Sequence, residues 1–410
     1  MDKHLGIYIH IPFCASRCRY CDFSTTAGQD KLMPRYQDAL LSHIRESAPQ
    51  LANYYIDSVY FGGGTPSYYR ARRLCELFNE LKRTGRVLKT AEVTVECNPD
   101  SVRRHDLRML RKEGVNRLSL GAQCANDDIL KLIGRRHNWK QVELAVQNAR
   151  KEGFSNLSLD LIYGLPSQTK DDWADTLSAA VSLHPEHISC YGLKLEPGTP
   201  LYEQKDSPLL PDDDVQADMY LYTVDTLKRQ GYQQYEISNF SLPGFESRHN
   251  LKYWQRKDYL GLGCAAHSCM GDLRYSNVRD LNTYISAVSG ETNIVEECEK
   301  LTPLEAAAEY IMLGMRTVHG ICREEYLTVY NSSFDALEQL LKEFEKNSWA
   351  KCSDDRWHFT AQGFLLSNIL IGMLLEAQTQ ERFQANPWVR DAFENVGERV
   401  PLPRGDTLFV

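Results

Sequence analysis

Through the first half of the chain, short runs rich in β-branched and aromatic residues alternate with stretches whose apolar residues recur every three or four positions. Residues 5–11, 56–61, 91–96, 117–120, 157–162 and 187–191 read as strands. Between them, residues 34–47, 71–84, 102–113, 139–152 and 171–183 read as amphipathic helices, two of them closed by Gly114 and Gly153. Unbroken alternation implies parallel strands joined by right-handed crossovers. Six such units fit an α/β fold, a partial (β/α)6 TIM-like barrel, over residues 1–193.

Residues 194–214 carry Pro197, Pro200, Pro208 and Pro211 before Asp212, Asp213 and Asp214, and read as a linker or wrapping loop. Beyond it the alternation stops. A helix is expected at 215–230, a β-rich stretch through Phe240 and Tyr259, and mainly helix over 303–346. A small hairpin of 349–352 with 357–360 then precedes a helix at 361–376. Residues 215–376 therefore read as a mainly helical C-terminal domain with small β elements that closes the barrel. The tail, 377–410, with Pro387, Pro401 and Pro403, reads as irregular.

The 410 residues include 47 Lys+Arg against 55 Asp+Glu, a net charge of −8 with no long basic run, which excludes generic nucleic-acid binding by phosphate neutralisation. No apolar stretch is long enough to span a bilayer, which leaves only peripheral membrane contact, and Met1-Asp2-Lys3-His4 has no leader character. A cytoplasmic protein is expected. Its twelve cysteines are then thiols, and only Cys14, Cys18 and Cys21 are closely spaced. The other nine (75, 97, 124, 190, 264, 269, 298, 322 and 352) read as small packed residues, with Cys97 notable beside Glu96.

Cys14-x3-Cys18-x2-Cys21 follows the first strand, so three sulfurs share one loop at that strand's C-terminal end. They can hold a [4Fe–4S] cluster by three corners, leaving one iron open to a small molecule. The alternative is a structural zinc with His10 or His4 as fourth ligand. Polar residues follow at later strand ends. Gly62, Gly63, Gly64 and Thr65 come after the second, Glu96 ends the third, Gln123 follows the fourth, and Asp160 lies near the end of the fifth. Each alone could be a helix cap or a satisfied polar group; together they face one rim of a β/α barrel, where function sits. Tyr8 and His10 share a face of strand one and would line the cluster side.

These motifs resemble the radical SAM superfamily. The resemblance implies a [4Fe–4S] cluster on Cys14, Cys18 and Cys21, with S-adenosylmethionine chelating the open iron through its amino and carboxylate groups. An electron from the cluster then gives a 5′-deoxyadenosyl radical. Within the superfamily, Tyr8-Ile9-His10-Ile11-Pro12-Phe13-Cys14, Gly121-Ala122-Gln123, Gly134-Arg135 and Tyr235-Glu236-Ile237-Ser238-Asn239-Phe240 are similar to the oxygen-independent coproporphyrinogen oxidases and their relatives, the HemW-type haem chaperones. The likeness implies that Glu96, Gln123, Arg135 and Asp160 contact S-adenosylmethionine, with Arg135 on its carboxylate. An electron donor of flavodoxin or ferredoxin type would serve such a cluster.

Three features separate the branches. The oxidases carry a further cysteine two residues after the third, where this chain has Phe23. Their N-terminal arm finds no counterpart ahead of a strand that begins at about residue 5. His249-Asn250-Leu251-Lys252-Tyr253-Trp254 resembles the chaperone branch's His-Asn-x-x-Tyr-Trp segment. On that resemblance His249 would be an axial haem ligand, with Tyr253 and Trp254 packed on the porphyrin, and His267 a weaker second candidate. The expected function is a haem chaperone that binds haem and transfers it to an acceptor protein. The alternative is coproporphyrinogen III oxidation, two propionates becoming vinyl groups; other radical chemistry, such as methyl transfer or haem ring opening, is a third.

Overall fold

The computed structural model describes residues 3–385, with side chains as far as residue 380. Twelve strands form one sheet: β1 Lys3–Ile11, β2 Tyr54–Gly63, β3 Arg86–Cys97, β4 Arg117–Gln123, β5 Leu157–Tyr163, β6 His187–Gly192, β7 Gln233–Gln234, β8 Asn239–Ser241, β9 Tyr259–Leu262, β10 His267–Met270, β11 Leu273–Asn277 and β12 Val295–Lys300. Their spatial order is β12-β11-β10-β9-β1-β2-β3-β4-β5-β6-β8-β7. From β1 to β6 the neighbours are consecutive and parallel, the six-unit partial barrel expected from the alternation. A seventh strand, β9, pairs parallel with β1 on its other side, matching Ile9 to Leu262. Nothing in the local pattern marks that partnership, because β9 has only four residues and its neighbour lies at the far end of the sequence.

The helices begin where the chemistry of their caps requires. The Asn138 side chain accepts from the Gln141 N–H while Gln141 reaches back, starting Trp139–Lys151; Thr169 and Asp172 do the same for Lys170–Ser182. One face of each barrel strand packs under these helices in an apolar core that includes Ile7, Ile9, Val59, Phe61, Val95, Leu118, Leu120, Leu159 and Ile188. The alternate residues are Tyr8, His10, Ser58, Tyr60, Glu92, Thr94, Glu96, Arg117, Ser119, Ser158, Asp160, His187 and Ser189. The concave face is therefore polar, unlike a closed barrel filled with branched aliphatic side chains.

The chain forms two compact units, and their boundary differs from the one the prolines suggest. The first comprises residues up to 234, with 238–252 and 257–299; the second comprises 235–237, 253–256 and residues from 300 on. Segment 194–214 does not separate them, because the helix that follows it, Asp213–Arg229, packs into the first unit. There the Trp173 indole N–H donates to the Thr223 hydroxyl at 2.8 Å, and Met219 and Leu227 are buried. In the second unit, helix Pro303–Gly314 precedes strand Ile321–Cys322 and helices Arg323–Tyr330 and Asp335–Lys346; a hairpin of Ala350–Ser353 with Arg356–Phe359 completes a three-stranded sheet. Helix Ser367–Ala385 carries regular structure into the part expected to be irregular, and residues 386–410 of that tail lie outside the described residues.

Candidate functional site

The cysteine loop leaves β1 at Ile11 and folds over the ends of the neighbouring strands. Phe13–Cys14 pairs with Thr26–Ala27, while the Gly64 and Thr65 N–H groups donate to the carbonyls of Ile11 and Phe13 at 2.8 and 2.9 Å. Two glycines make this approach feasible. Gly63 has φ +113°, and a Cβ there would stand 2.5 Å from the His10 ring; a Cβ on Gly64 would stand 2.9 Å from the Pro12 and Phe13 carbonyl oxygens.

All three loop cysteines are free thiols, Cys14 buried and Cys18 and Cys21 half-buried. Burial pushes the Cys21 thiol up to about 11, and its neighbours Cys18 and Cys14 add to the shift. Among the described residues no three His, Cys, Asp or Glu gather tightly enough to clasp a single metal ion. Mononuclear zinc needs its sulfurs about 2.3 Å from one centre, whereas a four-iron cube is gripped at separated corners. Neither proposed fourth zinc ligand is available. The Tyr8 hydroxyl lies 3.0 Å from His10 Nδ1, His10 Nε2 donates to the Ser24 carbonyl at 2.9 Å, and His4 faces Asp57.

Around the thiols the rim residues form a linked set. Arg135 Nη1 lies 3.6 Å from Cys18 Sγ, and Nη2 donates to Asn98 Oδ1 and the Gly121 carbonyl at 2.8 and 2.7 Å. Asn98 Nδ2 donates to Thr65 Oγ1 at 3.2 Å, so the Thr65 hydroxyl proton is free to point at Cys14 Sγ, 3.4 Å away. Arg135 Nε is buried with no partner, a donor that suits an anionic ligand. A cleft bordered by Ser16, Cys18, Asn98, Arg135 and His137 opens beside it. The thiol set, the open guanidinium edge and the glycine-walled approach fit a cluster with a carboxylate-bearing ligand.

Glu96 closes the other side. Its carboxylate accepts from the Tyr60 hydroxyl at 2.8 Å and from the Gly63 N–H at 3.1 Å, and burial raises it to about 7. Gly62 stands between Tyr60, Tyr8 and Glu96, and Tyr8 stacks on Tyr60. Gln123 ends β4 with φ +63°, at a break in register with β5. Asp160 occupies the middle of β5 instead of its end, one layer below the rim, and is held by serine hydroxyls. Asn98 and Tyr60 join the site without having been singled out. For Tyr60 a signal existed, since it alternates in phase with Gly62 along β2.

His249 lies away from the rim. Its side chain is 0 % exposed, Nδ1 lies 2.9 Å from the Ser58 hydroxyl, and its ring stacks on Tyr60 at 5.2 Å. The carboxylate of Glu92 accepts from the backbone N–H groups of Arg248 and His249 and so caps the helix Arg248–Trp254. The histidine thus fills the lower interior of the barrel. Burial pushes its pKa down to about 3. Trp254 is also buried, and Tyr253 and Trp254 belong to the second unit. His267 is half-buried on β10. Of the nine remaining cysteines, Cys298 and Cys352 are exposed and not packed, and Cys97 is buried.

The radical SAM superfamily pattern matches residues 8–180, and that of the HemN C-terminal domain matches residues 301–366. The heme chaperone HemW of Bacillus subtilis (strain 168) is 36% identical over 375 residues, covering 90% of this chain and 98% of the relative. The chain belongs to the HemW family of radical SAM proteins. The HemW of Lactococcus lactis subsp. lactis (strain IL1403) is 34% identical over 371 residues, again 90% of this chain and 96% of the relative. Among solved structures, the coproporphyrinogen III oxidase HemN from Escherichia coli, a radical SAM enzyme, superposes with a TM-score of 0.80 at 25% identity. That match covers 91% of this chain and 90% of the oxidase. A [4Fe–4S] cluster and S-adenosylmethionine follow from membership of the superfamily. Among the described residues no helix is long and apolar enough to cross a membrane.

Proposed function

We propose that this HemW-family chain is a cytoplasmic haem chaperone that binds haem and passes it to an acceptor protein. The observation that carries this reading is the likeness to HemW proteins along nearly their whole length. Phe23, where the oxidases have a further cysteine, agrees with it. Cys14, Cys18 and Cys21 hold the cluster. Tyr8, Gly62, Gly63, Gly64, Thr65, Glu96, Gln123, Arg135 and Asp160 form the S-adenosylmethionine site. When bound, the cluster supplies one electron to the sulfonium ligand, delivered from outside by a flavodoxin or ferredoxin type of donor. Arg135 offers its unpartnered Nε–H to the ligand carboxylate, and Glu96 offers carboxylate oxygens beside the glycine wall.

A second reading, coproporphyrinogen III oxidation, rests on the fold likeness to the oxidase. A paired assay separates the two. Haemin titrated into anaerobically reconstituted protein should bind saturably and pass to an apo-haemoprotein. Coproporphyrinogen III with S-adenosylmethionine and a reductant should yield no protoporphyrinogen. Turnover without saturable haem binding replaces the chaperone by the oxidase.

A further inference from the structure

One layer below the rim, hydroxyls from three adjacent strands converge on one carboxylate. Ser119 of β4 donates to Asp160 Oδ2 at 2.8 Å, while Ser189 of β6 and Ser158 of β5 itself donate to Oδ1 at 2.7 and 3.2 Å. The serines are buried and Asp160 is half-buried above them. Each hydroxyl has one proton, and Ser158 gives its proton to Asp160. Ser158 Oγ also lies 2.8 Å from Nδ1 of the buried His187, which donates to it in the Nδ1–H tautomer.

A carboxylate has about four lone-pair directions. Two donors on Oδ1 and one on Oδ2 leave a single direction, on Oδ2, and fix the rotation of the carboxylate plane. The arrangement is asymmetric, and asymmetry selects a ligand that brings one donor.

We propose that Ser119, Ser158 and Ser189 are positioning residues that aim the one vacant acceptor of Asp160 at a single ribose hydroxyl of the bound sulfonium nucleoside. This rests on the S-adenosylmethionine site proposed above. The test measures binding of S-adenosylmethionine and its 2′-deoxy and 3′-deoxy analogues to the anaerobically reconstituted holoprotein by equilibrium dialysis. Unsubstituted protein should prefer the parent over one of the two analogues by about tenfold or more. Ser119→Ala and Ser189→Ala should bring that ratio down to about threefold or less, Ser189→Thr should preserve it, and Asp160→Asn should abolish it.

Cluster absorbance and melting temperature identify variants that fail to fold, and Asp160→Asn, close in shape, then carries the test. Serine variants that weaken parent and analogues equally, with the ratio intact, would reduce the serines to packing and overturn the proposal. Equal binding of all three ligands by unsubstituted protein would overturn it while leaving the S-adenosylmethionine site standing. No binding of the parent would instead remove that site as well.

Discussion

The barrel strands build two polar regions from the same alternation, one at the rim and one at the lower interior, and they differ in what they leave open. At the rim, three thiols are in no disulfide and Arg135 Nε has no partner. Lower down, His249 is sealed between Ser58 and Tyr60, and Glu92 spends both carboxylate oxygens on the helix that carries it. Both regions contain residue types that bind metals or haem. The first gathers its spare capacity beside three thiols and an open cleft, so exposure together with unmet hydrogen-bonding capacity distinguishes a site from a plug.

The largest effect should come from the open region. Cys14→Ala, Cys18→Ala or Cys21→Ala should each abolish the visible absorbance of the reconstituted cluster, with little change in the melting temperature of the cluster-free protein. A variant that keeps a full cluster would move its ligand set elsewhere. The sealed region should respond in the opposite sense. His249→Ala removes a fully buried ring and its bond to Ser58, at a cost of roughly 3 kcal/mol by denaturant unfolding, while haemin affinity stays unchanged. Weaker haem binding in a variant of normal stability would restore the ligand role.

Per pH unit, the smallest effect is the pH response of the cluster-free protein. His249 titrates at about 3 in the fold against 6.5 as a free side chain. Between these values the unfolded chain binds the proton and the folded one does not, so stability is lost as pH falls below about 6.5, by up to about 1.4 kcal/mol per pH unit. Glu96 works the other way. Raised to about 7 from 4.5, it is protonated in the fold while the unfolded carboxyl is already ionised, so it removes stability as pH rises through that window. Glu96→Gln should therefore stabilise the cluster-free protein at pH 8 and change it little at pH 4. An acid profile unaltered by His249→Gln would show that the ring is not buried neutral.

Local signals were enough for the barrel because each βα unit is written in contiguous sequence. Residues 71–84 match the helix Ala71–Thr84, and the cysteine spacing alone locates the thiol loop. The pairing of β9 with β1 and the hairpin of β10 and β11 escaped, since their partners are remote or short. The site was legible where residues alternate along one strand and illegible where neighbours come from others. Asp160 reads as a rim residue until Ser119 and Ser189 appear beside it. His249 reads as a ligand until Ser58 and Glu92 close over it. A residue's type is in its letter; its satisfaction depends on elements far away in sequence.

The pairing of β1 with β9 bears on how the protein is made. While the chain emerges from the ribosome, the strand that leads into the thiol loop can find β2 early, yet its other edge stays bare until Tyr259–Leu262 has been synthesised. An uncovered edge invites pairing with other chains. Iron–sulfur assembly on a half-finished polypeptide would thus load a scaffold not yet locked.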